Sequence, residues 1–387
     1  MRSHPICTFG IALVAMGLIA APATAGADTE ALTYIAAQVP NAPHVVTAAD
    51  GRSHLVYEIR LANTTRSSVT LASVEARSPA GARLAALSRG ALESRVRIDG
   101  GKSGLVLEPG WGGAIFMDAI VGRGRKPPSR LVHHFKLLVQ PPAPAPPRSL
   151  SFSGAPTAVA GDRPVLIAPP LRGSRWLAAT GCCVLGEHRA AVLPINGRLH
   201  TAQRFAIDFL QLTADNRLFG GPIDDVASYP SFGAKVRSVA AGRVVRILKG
   251  QLQQVPGQFP TDTTALTAGG NFIVVRIAPG RYAFYGHLQS ASIKVRPGDS
   301  VTRGQVIALL GNSGHSGGPH LHFHVMDGPS PLASNGLPFE FTSFTGHGVV
   351  TDESTLSSGD PQPVDRRALA GRHRRQMPLT DQMLSFG

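Results

Sequence analysis

One run late in the chain restricts what this sequence can fold into: Gly311-Asn312-Ser313-Gly314-His315-Ser316-Gly317-Gly318-Pro319-His320-Leu321-His322-Phe323-His324-Val325. Its first half suits a tight turn, because Gly adopts backbone conformations closed to other residues and Pro fixes φ. Its second half alternates imidazoles with apolar side chains. Successive side chains of a strand point to opposite faces, and alternate ones share a face at about 6.5–7 Å. His320, His322 and His324 therefore form one row, backed by Leu321, Phe323 and Val325. Three imidazoles beside an apolar face are costly unless they serve something, and the row predicts a metal site.

A catalytic zinc takes three protein ligands and keeps a position for water. A carboxylate is a natural partner for two imidazoles, and Asp208, at the end of the apolar strand Phe205-Ala206-Ile207, is the best placed. A further imidazole comes from His287 in Tyr285-Gly286-His287-Leu288, where an aromatic strand turns.

The rest of the chain reads as mainly β. Leu55, Tyr57, Ile59 and Leu61 alternate with polar positions, Asn63-Thr64-Thr65 makes a turn, and Val69-Thr70-Leu71, Ala114 to Met117 and Phe135 to Val139 follow. Period-2 alternation broken by Gly and Pro predicts an antiparallel Ig-like β-sandwich over residues 28–165. His133 and His134 point to opposite faces of their strand and make a poor metal clamp. Pro141 to Pro147 is stiff and extended; it reads either as a linker or as a hairpin loop, and the domain boundary is set at 165. A β-sheet-core domain with an open groove is expected over 166–345. Thr213 to Ser231 and Lys249 to Gly270 are long loops expected to wall a cleft.

Residues 1–27 read as an export signal: Arg2, the apolar run Phe9 to Ala20, and small residues around Ala23-Thr24-Ala25. The run is too short to span a bilayer, and the mature form has no other candidate span. Net charge is +14, which favours an anionic envelope polymer as partner; the export signal argues against nucleic acid. Arg366, Arg367, Arg372, Arg374 and Arg375 crowd residues 346–387, read as a basic, solvated tail. Cys182 and Cys183 are adjacent and read as structural, whether as two thiols, a vicinal disulfide or an intermolecular link. They are not a zinc pair, because adjacent side chains diverge.

The segments Gln203 to Asp208, Tyr285 to Leu288, Val295 to Gln305 and Gly311 to His322 together resemble the lysostaphin- and LytM-like zinc endopeptidases of peptidoglycan, over roughly residues 185–345. The resemblance implies a secreted enzyme, in the periplasm or at the cell wall, that uses Zn2+ to cut peptidoglycan peptides. It makes Asp208 and His322 zinc ligands, has His320 and His287 flank the bound water, and gives His324 no role beyond structure. The family's first zinc His usually precedes the Asp by a few residues, and nothing here sits at that spacing. His200 lies roughly 25 Å from Asp208 if the intervening strand is extended at about 3.3 Å per residue. His188 opens a run that meets the Asn196-Gly197 turn and returns towards Asp208, and Glu187-His188-Arg189 resembles a His-Arg pair of exported relatives. His188 is the favoured ligand. Val295 to Gln305 also resembles half of a biotinyl or lipoyl carrier barrel, but no lysine stands at its tip. Two other functions fit the same scaffold: a non-catalytic wall-binding or regulatory protein, or a zinc peptidase for a non-wall protein. A protein regulator that uncovers the groove is a further expectation.

Overall fold

The computed structural model describes residues 30–261 and 263–387; the export signal read at 1–27 lies outside them. From Tyr34 to Gly387 the chain is one compact unit, built around two apolar cores.

The first core lies between two antiparallel five-stranded sheets. One runs in the order Ala36–Gln38, Ser53–Ala62, Gly112–Val121, Val96–Ile98, with His44–Thr47 also on Ser53–Ala62. The other runs Arg148–Ala158, Arg130–Gln140, Ser68–Arg77, Arg83–Leu87, with Val106–Leu107 on Ser68–Arg77. Alternate residues of each sheet meet between them: Leu55, Tyr57 and Ile59 from one, Val69, Leu71, Phe135 and Leu137 from the other. Pro141 to Pro147 joins two strands paired Arg148 to Val139, so it is a hairpin loop.

Strand Ser53–Ala62 is buried on both faces. Its odd positions fill the sandwich, while Val56 belongs to the second core and His54 and Glu58 are buried beside it. Alternation alone leaves His54, Glu58 and Arg60 off the sandwich core. Of these, His54 and Glu58 face the rest of the protein instead of water.

The second core backs a twelve-stranded sheet, in which Leu321–Met326 is paired antiparallel with Arg281–Leu288 on one side and Ile207–Gln211 on the other. Leu321, Phe323 and Val325 point into this core with Ile207, Phe209, Tyr285 and Phe339. The opposite face carries His322 and His324. Register sets what lies beside them: Asp208 is the cross-strand partner of His322, and Phe284 that of His324.

The sheet does not stop at residue 345, and the expectation of a solvated tail is corrected here. Phe344–Val350 and Gln382–Phe386 pair with each other, and Gln382–Phe386 pairs with Gly173–Ala179. Met383 and Leu384 are buried, while the arginines of this stretch stay exposed. The charge run masked the apolar residues Met377, Met383, Leu384 and Phe386, which the sheet buries. Cys182 and Cys183 form a vicinal disulfide and are buried. No helix among the described residues is long and apolar enough to cross a membrane.

Candidate metal centre

Three elements converge on one point. Strand pairing brings the Asp208 carboxylate to 3.0 Å from His322 Nδ1. The short helix Glu187–Ala190 brings His188 Nε2 to 3.3 Å from the other oxygen of Asp208. The donor atoms of His188, Asp208 and His322 all lie within 4.8 Å of one another. Zinc bonds of about 2 Å put two ligand atoms of one ion roughly 3–3.5 Å apart. Two imidazole nitrogens and a carboxylate at these separations fit zinc, and an acidic ligand set of oxygens, as calcium prefers, is not present here.

Hydrogen bonds fix which nitrogen of each ring is free. His188 donates its Nδ1–H to the Thr180 carbonyl at 3.0 Å, leaving Nε2 for the metal position. His322 presents Nδ1, and its Nε2 lies 3.0 Å from His324 Nδ1. His324 is stacked on Phe284 and fully buried, and its own Nε2 has no partner. Thr180 also donates its hydroxyl to Asp208 at 2.9 Å. Neither Thr180 nor a supporting part for His324 is visible in the sequence; only the period-2 row hints at the second.

Two further imidazoles close the site. His287 donates Nδ1–H to the Ser313 carbonyl at 2.7 Å, and His320 donates Nδ1–H to that of Gly318 at 2.8 Å. Their rings are 4.5 Å apart, and His320 Nε2 is 3.5 Å from Asp208. The Gly-rich turn exists to offer those carbonyls. Gly270, at φ +60°, approaches it so closely that a Cβ there would lie 2.2 Å from the Ser313 oxygen. His200 is not in the cluster; it pairs with Leu193 in the hairpin around Asn196-Gly197.

Charge is balanced within the site. Burial alone would raise the Asp208 carboxyl, but the facing His188 and His320 rings and hydrogen bonds from His188 and His322 hold it well below the usual range. Burial pushes His322 down to about 4 and His287 well below its ordinary value, the latter helped by neighbouring His320 and His322. His188 is raised: burial opposes the shift, and the Asp208 carboxylate outweighs it.

The site opens into a cavity of about 570 Å³. Phe259, Ala265 and Leu266 of the loop Lys249 to Gly270 form one wall, and Pro331 and Leu332 another. Phe259 stacks on His315 with ring centres 4.7 Å apart. The other long loop does not line this cavity. It braces the turn, with Ser231 donating to the Pro319 carbonyl at 2.7 Å.

Residues 225–334 match the profile of Peptidase family M23. A stretch of 140 residues is 26% identical to the glycyl-glycine endopeptidase ALE-1 of Staphylococcus capitis, covering 36% of this chain and 34% of that protein. The chain thus spans about a third of the length of this curated relative. Among solved structures, the catalytic domain of the prophage-encoded M23 protein EnpA from Enterococcus faecalis is 19% identical, covering 44% of this chain and 92% of that one, with a TM-score of 0.27. The lysostaphin catalytic domain from Staphylococcus simulans is 24% identical, covering 42% and 86%, with a TM-score of 0.24. These similarities of shape are too slight to add to the sequence match. The matched segment contains His287, His320 and His322, whereas His188 and Asp208 lie outside it and stand on geometry alone. Residues 225–334 thus carry a Peptidase family M23 domain, and the members of that family are zinc metallopeptidases.

Proposed function

We propose that this chain is an exported zinc metalloendopeptidase that hydrolyses peptide bonds in peptidoglycan stem or cross-bridge peptides. The observation that carries the reading is the convergence of His188 Nε2, the Asp208 carboxylate and His322 Nδ1 within 4.8 Å, beside two imidazoles that are not needed as ligands. Bound there, zinc would supply Lewis acidity and lower the pKa of a water towards neutrality.

The protein's own groups handle orientation and protons. His188, Asp208 and His322 would hold the ion, with the Asp208 carboxylate offsetting part of its charge. His320 and His287 each give their Nδ1–H to a backbone carbonyl, so each keeps a bare Nε2. A ring in that state accepts a proton at Nε2 from the attacking water and returns it to the leaving amine nitrogen. Burial keeps the resting His287 ring neutral. The apolar walls at Phe259, Leu266, Pro331 and Leu332 suit a peptide laid across the site with uncharged groups flanking the scissile bond.

The match to a glycyl-glycine endopeptidase supports a wall peptide as substrate. The exposed arginines between residues 366 and 375 suit an anionic envelope polymer. The test is metal analysis of the purified protein together with digestion of peptidoglycan, with and without chelator. One zinc per chain and digestion lost on chelation are expected. Digestion that survives complete removal of zinc would overturn the reading.

A further inference from the structure

We propose that the N-terminal sandwich is part of the metal centre, with Glu58 as a positioning residue that sets His188 and Asp208 through Arg189 and Arg204. The inference rests on the zinc reading above and extends it to residues outside the M23 segment.

The ligands are held in two different ways. His322 and Asp208 face each other across adjacent strands, and the sheet ladder fixes their separation. His188 has no such ladder. It sits in a helix of four residues, within a stretch from 187 to 206 that otherwise holds only a three-residue-strand hairpin and a turn. An isolated helix that short does not hold its shape alone. Besides the contacts of the His188 ring itself, its neighbour in the chain ties it to the rest of the protein. Arg189 is buried and crosses to the sandwich, donating to the Tyr57 carbonyl at 3.2 Å and the Met117 carbonyl at 3.1 Å. The same guanidinium donates to Cys183 at 2.9 Å and lies 3.7 Å from the Glu58 carboxylate.

Arg204 makes the second half of the clamp. It stands in the turn that enters strand Ile207–Gln211 and donates through Nε to both oxygens of Glu58, at 3.2 and 3.0 Å. One buried carboxylate on the sandwich therefore faces two buried arginines, one adjacent to His188 and the other just ahead of Asp208. Burying three charges has a high desolvation cost and is a weak source of net stability. Apolar residues would join the two parts at lower cost. The arrangement makes sense as a device that fixes geometry: an Arg fork and a carboxylate hold direction as well as distance.

The experiment uses the full chain. Zinc affinity is measured by competition with a chromogenic chelator for wild type, Glu58→Gln, Arg189→Lys and Val139→Ala, far below melting and with folding checked by near-ultraviolet circular dichroism. Cobalt(II)-substituted protein gives a second readout, since its visible absorption reports coordination number. Glu58→Gln and Arg189→Lys should weaken zinc by about 10–100-fold, as loss of groups that orient ligands does, and should weaken the cobalt band. Val139→Ala perturbs the sandwich core from the opposite sheet, away from the clamp, and should leave both unchanged. Folded Glu58→Gln and Arg189→Lys proteins with wild-type zinc affinity and cobalt spectrum overturn the inference and leave the zinc reading standing. Should Glu58→Gln fail to fold, Arg189→Lys, which keeps the charge and loses the fork, decides alone. A wild type that takes up no zinc overturns the functional reading, and this inference with it.

Discussion

The sandwich and the large sheet both bury histidines, and each region also holds a cluster of metal-ligating residue types. In the sandwich, His133 bonds through both nitrogens, to the Tyr57 hydroxyl at 2.7 Å and the Ala155 carbonyl at 2.9 Å. His54 is gripped on both sides, by Asp118 at 3.0 Å and Asp50 at 3.3 Å. His54, Asp118 and Cys183 come close enough to count as a metal cluster, yet the ring has no free nitrogen and the sulfur is in a disulfide. Beside the large sheet, His188, His287 and His320 each give one nitrogen to a backbone carbonyl and leave the other facing a cavity. The contrast teaches that residue types within reach of one another do not make a site. A ligand needs one nitrogen fixed and the other free.

The largest test of this contrast is removal of a ligand. Asp208→Ala should abolish stoichiometric zinc and with it turnover, whereas Asp118→Ala should leave zinc content at one per chain; metal analysis of both proteins checks it. Equal loss in the two would erase the distinction drawn between the clusters. Next in size, His320→Ala should keep its zinc and lose about 10²–10⁴-fold in kcat, the usual range for a general acid–base group; steady-state kinetics on a wall peptide beside a zinc titration separates the two effects. A smaller effect is expected at His324, which touches only the far nitrogen of a ligand. His324→Leu should weaken zinc about 10-fold or more, and His324→Gln, whose amide oxygen can accept from His322 Nε2, should restore most of it; competition titration measures both.

The smallest effect is one of pH, and the two sandwich histidines should differ in sign. Burial holds His133 down to about 4, so the folded state binds fewer protons than the unfolded state between about 6.5 and 4. Its contribution is present above about 6.5 and is lost as pH falls towards 4. His54 is raised: burial opposes, but Asp118 and Asp50 prevail. Its contribution is complete below about 6.5 and is lost as pH rises through the folded pKa. Urea unfolding across this range should therefore show His133→Phe flattening the acid side and His54→Gln the alkaline side. The same slope change in both variants would contradict the assignment of their charge states.

Much of the metal face was legible because strand alternation is a local rule. His320, His322 and His324 share a face by period alone, and their apolar partners fill the core as the same rule demands. The antiparallel strands of the first 160 residues follow from that alternation too. The first candidate ligand was harder. His188 lies far from Asp208 in sequence, and the residues between follow no period, so spacing alone did not choose it over His200. What misled was a rule applied without its context. Arginines near the C-terminus read as a solvated tail, and nothing in the alternation of Ser53–Ala62 showed that its polar side would be covered. In both cases another part of the chain covers the strand.

By itself the sequence determined which side chains share a strand face, where turns fall, and that an imidazole row had to serve something. The tertiary structure decided which strand lies beside the row, which histidine reaches Asp208, and that Glu58 holds the two arginines flanking them. The reason is physical: alternation is set by backbone geometry from one residue to the next, whereas cross-strand register and buried ion pairs depend on contacts between residues far apart in the chain, which no local pattern encodes.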